Sequence, residues 1–338
     1  EDLFDCDVFV FVASRGIPPV GSQVKDVRMY QFENNAKIVK QYARMAREQG
    51  FRGLWCAVSD PVDPLAKTAY LESNRDENGV RDGKGLRPEQ VQGFGLGVMN
   101  ARAAYFAKRD SRFASFLTGG RSFGPHGTGL TIANSIEHYD EALSQELTRL
   151  TVTANLKMRE IGFKPYVAPA LSSGALSLLL TLRGEWHCGS VFLDGVYMGV
   201  KNRYTPAGIE TELLPRIPDP LFGHIRAAAE HPLDATLSAA LEAGRLTAVN
   251  IGRPGWESVL SQARGGGKKR VNILAIGDVG STLLTGLKLL GGDVIGSIGI
   301  CDLSDQITAR WEFEMGQISL PWEYDAFPEV HVVRPEDL

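Results

Sequence analysis

The chain has 338 residues, 43% hydrophobic and 22% charged, which excludes an intrinsically disordered protein and allows two domains that share an interface. Lys and Arg number 36 against 40 Asp and Glu, and a net charge of −4 excludes a general attraction to nucleic acid or anionic membrane. The longest apolar stretches, VFVFVA at 8–13 and ALSLLLTL at 175–182, are too short to span a bilayer. No secretory signal opens the sequence, and Cys6, Cys56, Cys188 and Cys301 are scattered without metal-type pairing, so a cytoplasmic, reducing setting and no metal are expected. The adjacent His187 and Cys188 read as structural.

In chain order, CDVFVFVAS reads as a strand, followed by a loop rich in Pro and Gly over 16–22. Phe32, Ala36, Val39, Ala43 and Ala46 recur at helical spacing, and Gly50 stops that helix. GLWCAVS is a second strand, and the polar, glycine-bearing segment 72–90 an exposed loop insertion. Helices are expected over 148–162 and 174–184, then antiparallel strands with Gly and Pro turns over 191–216. Past residue 270, VNILAIG reads as a buried parallel strand and DVGSTLLTGLKLL as a helix closing at Gly291. VIGSIGICDLSD is a strand with Asp302 at its tip, ITARWEFEMGQIS a helix and VHVV a third strand. Alternating strands and helices imply a Rossmann-type parallel-sheet α/β domain, here beside an α+β domain.

The order is unusual, because a glycine turn of the kind that opens such a fold lies near the far end. The chain closes with RPEDL and opens with EDLFDCD, and overlaying the shared EDL gives one smooth strand–turn–strand passage. ARGGGKKR at 263–270 has the composition of a flexible linker. The sequence therefore reads as circularly permuted, with residues 271–338 and 1–71 as the nucleotide domain, 72–264 as the catalytic domain and 265–270 as the joint.

AIGDVGS supplies Gly277 and Gly280, with Ala275 in place of the first glycine of G-x-G-x-x-G. Such a turn lets a pyrophosphate approach backbone at a helix N-terminus. Asp302 lies where a carboxylate binds both ribose hydroxyls and repels a 2′-phosphate, which favours NAD over NADP.

Three further segments carry candidate chemistry. GRSFGPHGTG holds His126 between glycines, GFGLGVMNARAAYF places Arg102 after a glycine-containing strand, and PPVGSQVKDVRMYQFENN places Arg28 where a loop enters a helix. With SDPVD at 59–63, these resemble the lactate/malate dehydrogenase family over most of the chain once the permutation is undone. The resemblance extends to the seven-residue step from Arg28 to Asn35. It implies an NAD-dependent L-2-hydroxy acid dehydrogenase, a homodimer or homotetramer. In that reading Arg102 clamps the substrate carboxylate with two parallel hydrogen bonds. His126, an imidazole ordinarily titrating near ~6.5, is the acid and base, and Arg28 closes over the carbonyl with a mobile loop. Ala275, Gly277, Val279, Gly280, Asp302, Ala13, Ser14 and Val58 would line the cofactor site.

Two departures stand out. The family places an Asp three residues before the substrate Arg to support the histidine, and here that position is Met99. Asp60, where the family has Asn, is a candidate replacement partner for His126; the other reading is a weakened or repurposed site. The specificity position falls on Ile17 or Pro18 in a longer loop, which argues against a dicarboxylate unless Arg15, Lys25 or Lys164 supplies a second charge. Two alternatives follow: an NAD(H)-binding sensor or assembly subunit with impaired or no dehydrogenase chemistry, and a metal-dependent glycosidase. SDPVD lacks the Cys that the glycosidase would need.

Overall fold

A computed structural model describes residues 3–16, 30–162, 172–193, 195–205, 208–214, 216–229 and 267–335, the side chains at 159, 172 and 229 excepted. Its first unit is strand β1 (Val8–Phe11), helix α1 (Phe32–Glu48), strand β2 (Leu54–Ala57), helix α2 (Val62–Ser73) and strand β3 (Val91–Gly93). Helix α3 (Leu96–Ala107) and the short helix α4 (Phe116–Gly119) lead into a hairpin of β4 (Arg121–Phe123) and β5 (Thr131–Ala133). Helices α5 (Glu141–Glu160) and α6 (Ser172–Arg183) precede the strands β6 (His187–Leu193), β7 (Val196–Thr205) and β8 (Gly208–Thr211), and then helix α7 (Asp219–Ala229). The last unit is β9 (Lys269–Leu274), α8 (Asp278–Leu290), β10 (Ile295–Cys301), α9 (Asp305–Gly316) and β11 (Glu329–Val332).

Nine strands form one sheet in the order β11-β10-β9-β1-β2-β3-β6-β7-β8, parallel from β11 to β3. The two chain ends thus meet at its centre, with Val8 paired to Val271 and Phe11 to Leu274. Alternation along β1 sorts its side chains between two cores. Phe9 and Phe11 join Trp55 and the α1 and α2 residues Val39, Tyr42 and Leu65 on one face. Val8 and Val10 join Ile273, Leu283 and Leu287 of β9 and α8 on the other, together with Leu178 of α6. Helices therefore cover both faces of the sheet, as the uniformly apolar strands β1 and β2 require.

Three expectations are corrected. Lys269 and Arg270 belong to β9, so the strand begins inside the segment read as linker; Lys269 is buried and its N–H donates to the Val294 carbonyl. The antiparallel strands do not form a separate sheet but extend the parallel one, through the pairing of Gly93 with Ser190. Arg102 lies within α3 rather than directly after a strand, because the helix starts only two residues past β3.

His187, at the start of β6, carries a pH-dependent part of the fold's stability. Its Nδ1–H donates to the Glu185 carbonyl at 3.2 Å, and Nε2 accepts from the Gln92 amide at 2.8 Å. Burial depresses its pKa from 6.5 to about 4, because the charged imidazolium would lose its hydration there, an effect the hydrogen bond to the Glu185 carbonyl only partly offsets. The unfolded chain binds that proton first, so stability is present above pH 6.5 and is lost as pH falls toward 4. The loss attributable to this group is ~3 kcal/mol. Urea midpoints at pH 7 and 4.5 should fall less in His187→Gln than in the parent.

Candidate active site

A cleft of about 770 Å3 opens at the carboxyl ends of the central parallel strands. The chain leaves β9 toward β10 in one direction and β1 toward β2 in the other, so the cleft sits at the switch point of the sheet. Ala13 and Ser14 after β1, Val58 and Asp60 after β2, and Ala275, Gly277, Val279 and Gly280 after β9 all line it. Asp302 after β10, Arg102 of α3 and His126 line it too. The structure thus brings together every sequence-predicted site residue that it describes. Arg28, Ile17, Pro18 and Lys164 lie outside the described residues, as does Lys25; Arg15 lines the cleft.

The glycine turn is shaped for close approach. Ala275 adopts φ +76°, the left-handed conformation for which glycine is the usual choice. A Cβ on Gly280 would lie 2.0 Å from the Ala275 carbonyl oxygen, so the turn closes only around a glycine there. At Gly277, the N-cap of α8, a Cβ would meet open space. Asp302 has a role not read from the sequence: its Oδ2 accepts the Ile276 N–H at 2.8 Å and its Oδ1 the Ser304 N–H at 3.1 Å, bracing the turn. An exposed glycine N-cap at a helix N-terminus, backed by a carboxylate, fits a dinucleotide pyrophosphate and ribose.

One residue works against that fit. Asp278, in the first turn of α8, lines the cleft and brings negative charge to where phosphates would sit. It also complements the helix dipole, at about 0.3–1 kcal/mol. Asp278→Asn should therefore tighten NADH binding severalfold in a fluorescence titration, with a small drop in the urea midpoint.

His126 sits on the loop between β4 and β5 with its side chain 6% exposed. Its Nδ1 lies 2.8 Å from the carbonyl of Gly95, which can only accept, so Nδ1 carries the proton. Its backbone N–H donates to Oδ2 of Asp63 at 3.0 Å. Nε2 is thereby left toward Asp60, whose Oδ1 is 3.7 Å away. The segment SDPVD grips one histidine twice, by its main chain through Asp63 and beside its outer nitrogen through Asp60. Neither role is legible in the sequence: Asp63 is the last residue of the SDPVD motif, and Gly95 acts through a backbone carbonyl.

Met99 is fully buried with Leu96, Ala103, Phe113 and Ile132, an apolar setting in which a carboxylate would be desolvated. Arg102, one turn along α3, donates to the Met99 sulfur at 3.7 Å. Asn35 ties the strand ends together, accepting the Arg15 N–H and donating to the Asp60 carbonyl, both at 2.7 Å. Tyr42 and Cys301 also line the cleft, and burial pushes them to about 12 and about 11, so neither acts as a base near neutrality. Among the described residues, no helix is long and apolar enough to cross a membrane, and no group of three or more His, Cys, Asp or Glu is placed to hold a metal ion.

No family model matches the chain. L-lactate dehydrogenase 1 of Bacillus cereus is 33% identical over 105 residues, 31% of this chain and 28% of that enzyme. L-lactate dehydrogenase 2 of Staphylococcus aureus is 24% identical over 219 residues, 60% of this chain and 64% of that enzyme. The chain therefore spans less than two thirds of either relative. Among solved structures, malate dehydrogenase from Plasmodium falciparum superposes with a TM-score of 0.52 at 15% identity, covering 70% of this chain and 77% of that one. The malate dehydrogenase of Archaeoglobus fulgidus, solved in complex with NADH, gives 0.50 at 17%, covering 70% and 76%. Fold and site together define a Rossmann-type α/β protein with its cleft at the switch point. Within that class, the chain is similar in sequence to L-lactate dehydrogenases and in fold to malate dehydrogenases.

Proposed function

We propose that this protein is an NAD-dependent oxidoreductase interconverting a 2-oxo acid and an L-2-hydroxy acid. The observation that carries the reading is that His126, Arg102 and the turn at Ala275–Gly280 line one cleft. The dinucleotide, when bound, supplies or takes up the hydride. The guanidinium of Arg102 holds the substrate carboxylate. As hydride reaches the carbonyl carbon, the carbonyl π pair moves to oxygen, and His126 Nε2 gives that oxygen its proton; in the reverse direction Nε2 takes the proton back. Gly95 holds the ring in the tautomer this transfer needs, and Asp60 offsets the charge of the imidazolium. Arg28 is assigned to polarising the carbonyl.

The same reading makes the strand order that of a circularly permuted chain, with 271–338 and 1–71 as the nucleotide domain and 72–264 as the catalytic domain. It also makes the protein a cytoplasmic homodimer or homotetramer, with Ile17, Pro18 and Lys164 shaping specificity. The decisive assay is absorbance at 340 nm with NADH and a panel of 2-oxo acids: oxidation of NADH by one of them is expected, and its absence with all of them sinks the reading. One observation favours a second reading, an NAD(H)-binding sensor or assembly subunit: Nδ1 of His126 rests on a neutral carbonyl rather than a carboxylate. Tight NADH binding with no turnover of any substrate would select it.

A further inference from the structure

Strand β1 ends at Phe11 and β2 at Ala57, so the cleft wall is made by the loops that follow them. Ala13, Ser14 and Arg15 line the cleft after β1, and Val58, Ser59 and Asp60 line it after β2. Strand pairing still reaches Val58, whose N–H donates to the Phe11 carbonyl at 3.0 Å. Beyond it, side chains make the connections. Ser59 Oγ donates to the Ala13 carbonyl at 2.7 Å.

Asn35 of α1 makes a wider connection. Its Oδ1 accepts the Arg15 N–H and its Nδ2 donates to the Asp60 carbonyl, both at 2.7 Å. Nδ2 also donates to Ser14 Oγ at 3.2 Å, and that hydroxyl donates in turn to Gln31 Oε1 at 2.9 Å. A side-chain amide carries two donor hydrogens, and both are used here. Turning the amide over would set N–H against N–H at Arg15 and oxygen against oxygen at Asp60, so its orientation is fixed. Its base is rigid as well. Asn35 is fully buried behind the cleft wall, and Val39, Tyr42 and Ala43 of the same helix pack into the core with Phe9 and Phe11.

We propose that Asn35 is a positioning residue, which holds the loop after β1 and the loop after β2 at one separation and thereby sets the width of the cofactor cleft. A group that touches no ligand can act in this way, because displacements of about 1 Å in the walls of a site are costly. The inference rests on the cofactor part of the proposed function and is independent of turnover.

Asn35→Ala removes the bonds to both loops. It is expected to weaken NADH binding about tenfold in a fluorescence titration, on the scale of one lost hydrogen bond, with one NADH still bound per folded chain. Partial unfolding would instead lower the stoichiometry and leave the Kd of the remaining protein unchanged. Val39→Ala, one turn further along α1 and buried in the core, is the control for a purely structural effect. It should lower the urea midpoint while keeping the NADH Kd within about twofold of the parent. Asn35→Ser, too short to span the two loops, carries the test if the alanine variant does not fold, and should weaken NADH binding by a similar factor. Asn35 variants whose Kd stays within about twofold of the parent, or moves no further than that of Val39→Ala, overturn the proposal. NADH oxidation by the 2-oxo acid panel is read in the same samples. A parent that oxidises no NADH, with the Kd change present in Asn35→Ala, removes the dehydrogenase reading and retains this one.

Discussion

Replacing His126 with Asn is expected to lower NADH-linked reduction of the best 2-oxo acid by about a thousandfold, the range in which a positioned acid–base group contributes. The residue is 7% exposed and held at three points: its backbone N–H on Asp63, Nδ1 on Gly95 and Nε2 beside Asp60. Asn is polar and smaller, so it leaves the loop between β4 and β5 in place while removing a group able to give a proton at neutral pH. NADH affinity should stay within about twofold, because the glycine turn lies on a separate element after β9. Stopped-flow reduction and a fluorescence titration separate the two quantities. A variant retaining more than about a tenth of the parent rate would remove His126 from the chemistry.

Replacing Gly280 with Val should abolish measurable NADH binding and cost about 1–3 kcal/mol of stability, the usual effect of forcing added methyl groups into a closed site. Even the first added carbon would stand 2.0 Å from the Ala275 carbonyl oxygen. Backbone has to move to make room, and it is the backbone that already carries the left-handed Ala275. The displacement would pull the turn away from Asp302, which holds it through the Ile276 N–H. Urea unfolding and NADH fluorescence read the two effects. Unchanged NADH affinity would show that the turn is not the cofactor cradle.

Much of the architecture is legible because periodicity is a local signal. The strands over 8–11, 54–57, 271–274 and 295–301 stand out as apolar runs, and the turn at 275–280 by its glycines. Candidate residues far apart in sequence are legible in two ways: Gly277 from its glycine turn between strand and helix, and His126 through the resemblance that its motif and the neighbouring motifs carry. The joining of β6 to β3 was not legible: it depends on one pairing, Gly93 with Ser190, between segments almost a hundred residues apart. Nor was the place of Arg102 inside a helix, because Gly93, Gly95 and Gly97 read equally well as part of a glycine-bearing strand.

The amino-acid sequence by itself determined that this chain alternates strands and helices and carries a glycine turn, because hydrophobic period and glycine content act within a few residues. Only the tertiary structure decided what surrounds the imidazole. Which atom accepts the Nδ1 proton and which carboxylate faces Nε2 are matters of ångströms between separate loops, and there a backbone carbonyl at Gly95 and a side chain at Asp60 divide the two sides of one ring.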